Sequence, residues 1–129
     1  MDGNSNNIYI GGLAKGGCIA LAAYLQFDKS LGGVVCCNGL FCAELEWDKI
    51  RVEQKSETPI LIYHGLKDKE IPYSFAESSY LMLLRENDIR HYDFEHDING
   101  SHKMSQSCTQ LIGNFFTKHI TKSKKRPSD

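Results

Sequence analysis

Nowhere does this chain carry an apolar run approaching the ~20 residues that a membrane-spanning helix needs. Its first seven residues, Met1-Asp2-Gly3-Asn4-Ser5-Asn6-Asn7, are polar and do not resemble a secretory signal. No charge of one sign dominates. Fifteen Lys and Arg against 16 Asp and Glu leave a net charge of −1, so the electrostatic footprint of a nucleic-acid binder is absent. The one basic cluster, Lys122-Ser123-Lys124-Lys125-Arg126, reads as the start of a solvated, disordered tail over residues 122–129. The five cysteines are an odd number, which argues against a disulfide framework and for reduced thiols in a cytoplasmic protein. Cys42 and Cys108 complete no zinc-ligand spacing, so no metal site is expected. There is no internal repeat. What remains, residues 1–121, has the composition of one ordinary globular domain, with 41% hydrophobic and 24% charged residues over the chain.

The apolar runs that are present are short and regularly punctuated. Residues 8–13 open with Ile8-Tyr9-Ile10, apolar without alternation, the pattern of a strand buried on both faces. Residues 15–26 read as a helix that is apolar almost all round and therefore buried. A second strand, Gly32-Gly33-Val34-Val35-Cys36-Cys37-Asn38-Gly39, is bounded by glycines, and its adjacent cysteines must point to opposite faces. Residues 40–57, which include Trp47, read as a polar, irregular loop with one helical turn. A third strand follows Pro59, where a missing N–H breaks no ladder. Ala76, Tyr80, Leu83 and Leu84 then give the stripe of a helix laid on a sheet and stopped at Asn87-Asp88. Residues 89–96 form a more polar strand suited to a sheet edge, with Tyr92 and Phe94 on one face. The last helix starts near Ser105 with the stripe Cys108, Leu111, Ile112, Phe115, Phe116 and Ile120. Alternating strands and helices predict an α/β fold: about four parallel strands, adjacent in chain order, with helices on both faces.

The passage from the first strand to the first helix bears on chemistry. Gly12 and Gly16 bracket position 14 with the spacing of the Gly-x-Ser-x-Gly nucleophile elbow of α/β-hydrolases, in which a strained turn lifts the central side chain above the sheet. The glycines are expected to serve the strained turn and the close passage of helix past strand. The central residue here is Ala14, whose methyl group cannot attack a carbonyl. Cys18 lies a helical turn away and faces elsewhere, and the Lys15 amine leans toward solvent. Neither is expected to replace the missing nucleophile.

The segment Gly12-Leu13-Ala14-Lys15-Gly16-Gly17 resembles the Gly-Phe-Ser-Gln-Gly-Gly elbow of the acyl-protein thioesterase family, also called the phospholipase/carboxylesterase family. His64-Gly65-Leu66-Lys67-Asp68-Lys69-Glu70-Ile71-Pro72 resembles its His-Gly-x-x-Asp-x-x-Val-Pro segment, and Gly100-Ser101-His102 its Gly-x-His loop. The resemblance runs from residue 8 to about residue 120 and begins in the middle of that family's domain, so a C-terminal half is expected. It implies a partial α/β-hydrolase fold and cofactor-free hydrolysis of a carboxylic ester or of an S-acylated protein. It also implies a triad in chain order, with position 14 as the vacant nucleophile site, Asp68 as the acid and His102 as the base. The backbone N–H of Lys15 would supply half of an oxyanion hole.

Two departures bear on activity. Ala14 replaces serine, and Lys15 replaces glutamine; the second change favours a natural loss over a single engineered one. Without a nucleophile, binding and an oxyanion hole alone leave about 10³–10⁴-fold acceleration over water in triad enzymes, so useful turnover is not expected. The alternative role is a non-catalytic module that binds an acyl group or a protein. Asp97, close to His102 in sequence, is the alternative orienting acid. His64 is expected to end its strand as a structural residue, and His91, His96 and His119 to be surface or strand histidines. The strand over 8–13, cut off from earlier strands, would leave an apolar edge for a second copy or a partner chain.

Overall fold

The computed structural model describes residues 7–27, 29–39, 58–86, 89 and 92–125, without the side chains of 83, 86 and 121–125. The expected loop around Trp47 with Cys42, the Asn87-Asp88 helix stop, His91 and residues 126–129 lie outside the described residues. Elements follow in the order β1 (Tyr9–Leu13), α1 (Lys15–Gln26), β2 (Gly33–Cys37), β3 (Ile60–Gly65), α2 (Tyr73–Glu86), β4 (Tyr92–Asp97) and α3 (Gln106–Lys125). The four strands form one parallel sheet in chain order. The sheet and its helices make an α/β arrangement, as the alternation of patterns implied.

The register places two cores on opposite faces, because successive side chains of a strand alternate. Val34, Cys36, Ile60 and Ile62 pack under Leu21, Tyr24 and Leu25 of α1 and Ala76, Tyr80 and Leu84 of α2. Val35, Cys37, Leu61 and Tyr63 pack under Cys108 and Phe115 of α3. Cys36 and Cys37 therefore part company as expected. The Cys36 Sγ meets the Tyr80 hydroxyl at 2.8 Å, and the Cys37 Sγ lies 3.5 Å from that of Cys108. Every residue of β2 and β3 is buried. That is why these two strands read as continuous apolar runs, whereas β4, which among the described residues pairs only with β3, alternates half-buried Tyr92 and Phe94 with exposed Asp93 and Glu95.

Four details differ from the sequence pattern. First, β1 is not buried on both faces as its apolar run implied; among the described residues it is an outer strand of the sheet, as the expected apolar edge required. Tyr9 and Ile10 are half-buried and Leu13 is 39% exposed. Second, α1 is not buried all round, since Ile19 points outward at 68% exposure while Leu21, Tyr24 and Leu25 are sealed. Third, His119 is not a surface residue; it is 5% exposed, with its ring 4.6 Å from that of Phe115. Fourth, α3 continues through the basic stretch as far as Lys125. Its start behaves as the pattern implied: the Ser105 hydroxyl accepts from the Cys108 N–H at 3.0 Å, an N-cap of the usual kind.

Candidate active site

Parallel strands all deliver their C-terminal ends to one side of a sheet, so the turns after β1, β2, β3 and β4 meet there. The turn after β1 is the tightest. Ala14 has φ 55° and ψ −120°, a backbone conformation that residues with a Cβ rarely adopt and that costs on the order of 1–3 kcal/mol. The conformation is held from both sides. The Ala14 N–H donates to the Cys37 carbonyl at 2.9 Å, and the Ala14 carbonyl accepts from the N–H groups of Gly17 and Cys18, at 3.0 and 3.2 Å, to start α1. Position 14 thus has the strained elbow geometry without a nucleophilic atom.

The glycines around it divide their work differently from the expectation. A Cβ on Gly12 would lie 2.1 Å from the Gly16 carbonyl carbon, and one on Gly17 would lie 2.8 Å from the Cys36 sulfur. A Cβ on Gly16 would meet nothing within 4 Å. Gly12 and Gly17 therefore permit the close passage of helix over strand. Gly16 contributes a bare backbone for Gly12 to press against, and its own side chain position is open. Lys15, the first helical residue, is exposed, and its N–H is at the positive end of the helix dipole.

The turns after β3 and β4 bring Asp68 and His102 together across 34 residues of chain. Nδ1 of His102 lies 2.8 Å from Oδ2 of Asp68. Asp68 is 5% exposed, and its other oxygen accepts the backbone N–H groups of Glu70 and Ile71, both at 2.9 Å. Burial pushes the Asp68 carboxyl up, but the Ile71 N–H, the His102 ring and the Glu70 N–H together pull it below its ordinary range. An acid ionised in this way, with one oxygen on the imidazole, is the arrangement that orients a general base. The second ring nitrogen of His102, Nε2, lies 2.9 Å from Oε2 of Glu70.

The two loops are stitched by backbone. Leu66 N–H donates to the Asp97 carbonyl and Lys67 N–H to the Gly100 carbonyl, each at 2.8 Å. A Cβ on Gly65 would lie 2.3 Å from the Gly100 oxygen, so this contact requires glycine. The fixed Gly-x-His spacing follows from it: Gly100 makes the contact, and His102 is carried to Asp68 just beyond. Asp97 is engaged elsewhere. It accepts from the Tyr63 hydroxyl at 2.7 Å and from the Asn99 N–H at 3.1 Å, and Tyr63 also meets Ser105 at 3.1 Å. His64 is wholly buried; its Nε2 donates to the Ile71 carbonyl at 2.7 Å, behind the acid loop. His96 is exposed at the end of β4.

Asn38 and Glu70 take part without having stood out in the sequence. Asn38 sits at φ 49°, wholly buried, at the end of β2. Its Oδ1 accepts the Gly65 N–H at 2.8 Å and its Nδ2 donates to the His102 carbonyl at 3.4 Å, so one amide ties β2, β3 and the histidine loop together. The Asn-Gly pair at the strand end was the available signal, since asparagine tolerates positive φ. Nothing local marked Glu70. Among the described residues no group of three or more His, Cys, Asp or Glu side chains is placed to hold a metal ion, and no helix is long and apolar enough to cross a membrane.

Comparison with known proteins agrees with this fold. The sequence profile of the Phospholipase/Carboxylesterase family matches residues 3–120. Acyl-protein thioesterase 1 of Kluyveromyces lactis is 28% identical over 116 residues, which cover 88% of this chain and 50% of that protein. Carboxylesterase SOBER1 of Arabidopsis thaliana is 31% identical over 83 residues, 64% of this chain and 36% of that one. The chain thus spans half or less of the curated relatives named here. The crystal structure of Arabidopsis thaliana SOBER1 superposes with a TM-score of 0.80 at 24% identity, over 92% of this chain and 56% of that one. Acyl-protein thioesterase 2 of Zea mays superposes with a TM-score of 0.75 at 17% identity, over 88% and 56%. These likenesses show an α/β-hydrolase fold.

Proposed function

Because the chain belongs to the phospholipase/carboxylesterase family, we propose that its site is that of a carboxylic ester or thioester hydrolase whose nucleophile position is vacant. Asp68 is the orienting acid, His102 the base, and the Lys15 N–H an oxyanion donor at the start of α1. Position 14 is where a serine would attack. The substrate class is an acyl ester or an S-acylated protein, and the chain as written does not turn it over. The observation that carries this reading is the 2.8 Å Asp68–His102 contact, formed between two loops that end in the same region as a strained elbow. An ordinary surface turn has no use for an Ala at φ 55° pinned between a strand carbonyl and a helix start.

The second reading, a non-catalytic module that binds an acyl group or a protein, is favoured by Ala14 itself. The outer edge of β1, which no described strand pairs, is where a second copy or a partner chain would add. Thiols that form no disulfide at Cys36, Cys37 and Cys108 support a cytoplasmic setting. Hydrolysis of p-nitrophenyl acetate by the parent chain and by Ala14→Ser separates the readings. The parent is expected to release no p-nitrophenolate above background. The serine variant is expected to give a burst approaching one equivalent as its acyl-enzyme forms. A silent serine variant that melts like the parent would remove the hydrolase reading and leave the binding module.

A further inference from the structure

We propose that Glu70 is a cap on the base: its carboxylate occupies Nε2 of His102, the only ring nitrogen left to exchange a proton with a substrate or nucleophile. This deepens the reading of Asp68 and His102 as an acid–base pair. Nδ1 is committed to Asp68 at 2.8 Å, and Nε2 lies 2.9 Å from Oε2 of Glu70. An ionised carboxylate can only accept hydrogen bonds, so Nε2 donates its proton to Glu70 and has no lone pair to offer. The arrangement is reciprocal. The Glu70 backbone N–H is bound by Oδ1 of Asp68, at 2.9 Å. The acid thereby fixes the main chain of the residue whose side chain closes over the far edge of the imidazole. One loop supplies both carboxylates, one to orient the ring and one to silence it.

The two contacts differ in permanence. The side chain of Asp68 is 0% exposed and that of Glu70 is 72% exposed, with His102 between them at 22%. Asp68 is built into the fold, whereas Glu70 can swing into solvent on its own torsions. An exposed pair of this kind is weak and sensitive to salt. It behaves as a cover in equilibrium with an open state, not as a fixed block. Restoring a serine at position 14 supplies the missing hydroxyl, and the open state leaves Nε2 free to take its proton; changing Glu70 enlarges that open state.

The test uses the parent chain and needs no hydrolysis. Diethyl pyrocarbonate acylates a histidine nitrogen that has a free lone pair, and the modified peptide is quantified by mass spectrometry. Exposed His96 serves as the internal reference. Removing the cap in Glu70→Ala and Glu70→Gln is expected to raise the His102 modification rate about two- to fivefold, the range of one partly exposed ion pair. His96 and the melting temperature should stay unchanged. High salt should move the parent toward the variants. Unchanged His102 rates in both variants would overturn the proposal. So would a rise in Glu70→Ala alone, because that means shielding by bulk rather than a charged contact. These outcomes do not depend on whether Ala14→Ser hydrolyses an ester, so failure of the cap and failure of the hydrolase reading are separable.

Discussion

Replacing Ala14 with glycine should make the protein more stable, against the usual effect of that substitution. Glycine inside ordinary structure costs about 0.5–1 kcal/mol relative to alanine, because the unfolded chain gains freedom. At φ 55° and ψ −120° the balance reverses. The Cβ there holds on the order of 1–3 kcal/mol of strain that glycine does not feel. The flanking hydrogen bonds, Ala14 N–H to Cys37 O and Gly17 N–H to Ala14 O, use backbone atoms and survive the change. From the middle of the two ranges the net gain is about 1 kcal/mol. In a chain of 129 residues each kcal/mol moves the melting temperature by about 4 °C. Ala14→Gly should therefore melt about 4 °C above the parent by circular dichroism or scanning calorimetry. Ala23→Gly, on the exposed side of α1, is the control and should melt about 4 °C lower. If Ala14→Gly melts at or below the parent while the control behaves, position 14 is not strained and the elbow has relaxed.

Gly16→Ala should be tolerated within about 0.5 kcal/mol or even help α1, whereas Gly12→Ala, with its Cβ 2.1 Å from the Gly16 backbone, should cost several kcal/mol or prevent folding. Equal melting temperatures for the two would contradict the packing. Asn38→Ala leaves the buried Gly65 N–H without its acceptor and should cost about 1–3 kcal/mol, read by urea denaturation. Local amide exchange should accelerate at Gly65. The pH dependence follows from Asp68, whose carboxyl is held below its ordinary range in the fold. Its contribution is fully present above the unfolded value of about 3.9 and is lost as pH falls through the lower folded value. The melting temperature should thus drop below about pH 4, and Asp68→Asn should flatten part of that drop. A parent and variant with parallel pH profiles would count against an ionised, bound Asp68.

What could be read in advance tracks how local each cause is. Ile60-Leu61-Ile62 and Val34-Val35-Cys36-Cys37 announce themselves as strands because both faces are covered, so no polar residue interrupts them. The α3 stripe is legible for the same reason, one covered face at helical spacing. The elbow is visible because a turn this tight leaves its glycines as a signature. Asp68 and His102 stand out only through the order and spacing of their flanking glycines, and the Gly65–Gly100 contact supplies the physical reason for that spacing. The Asn38 bridge is not local. Its amide matters because β2 and β3 are neighbours in register, which places Asn38 beside Gly65. The Glu70 contact needs two loops folded together before it exists. The run in β1 overstates its burial, because an edge strand and a central strand can share one apolar run; its place at the edge was expected.

The central claim is that this chain keeps an oriented acid–base pair and an elbow around a vacant nucleophile position. The most direct measurement is intact-mass analysis after treatment with a fluorophosphonate, which bonds preferentially to an activated serine. Ala14→Ser should gain one adduct, mapped to residue 14. The parent should gain none, and Ala14→Ser combined with His102→Ala should lose the adduct while remaining folded. An unlabelled Ala14→Ser, or labelling that survives removal of His102, would mean that the elbow and the Asp68–His102 pair do not form one working site.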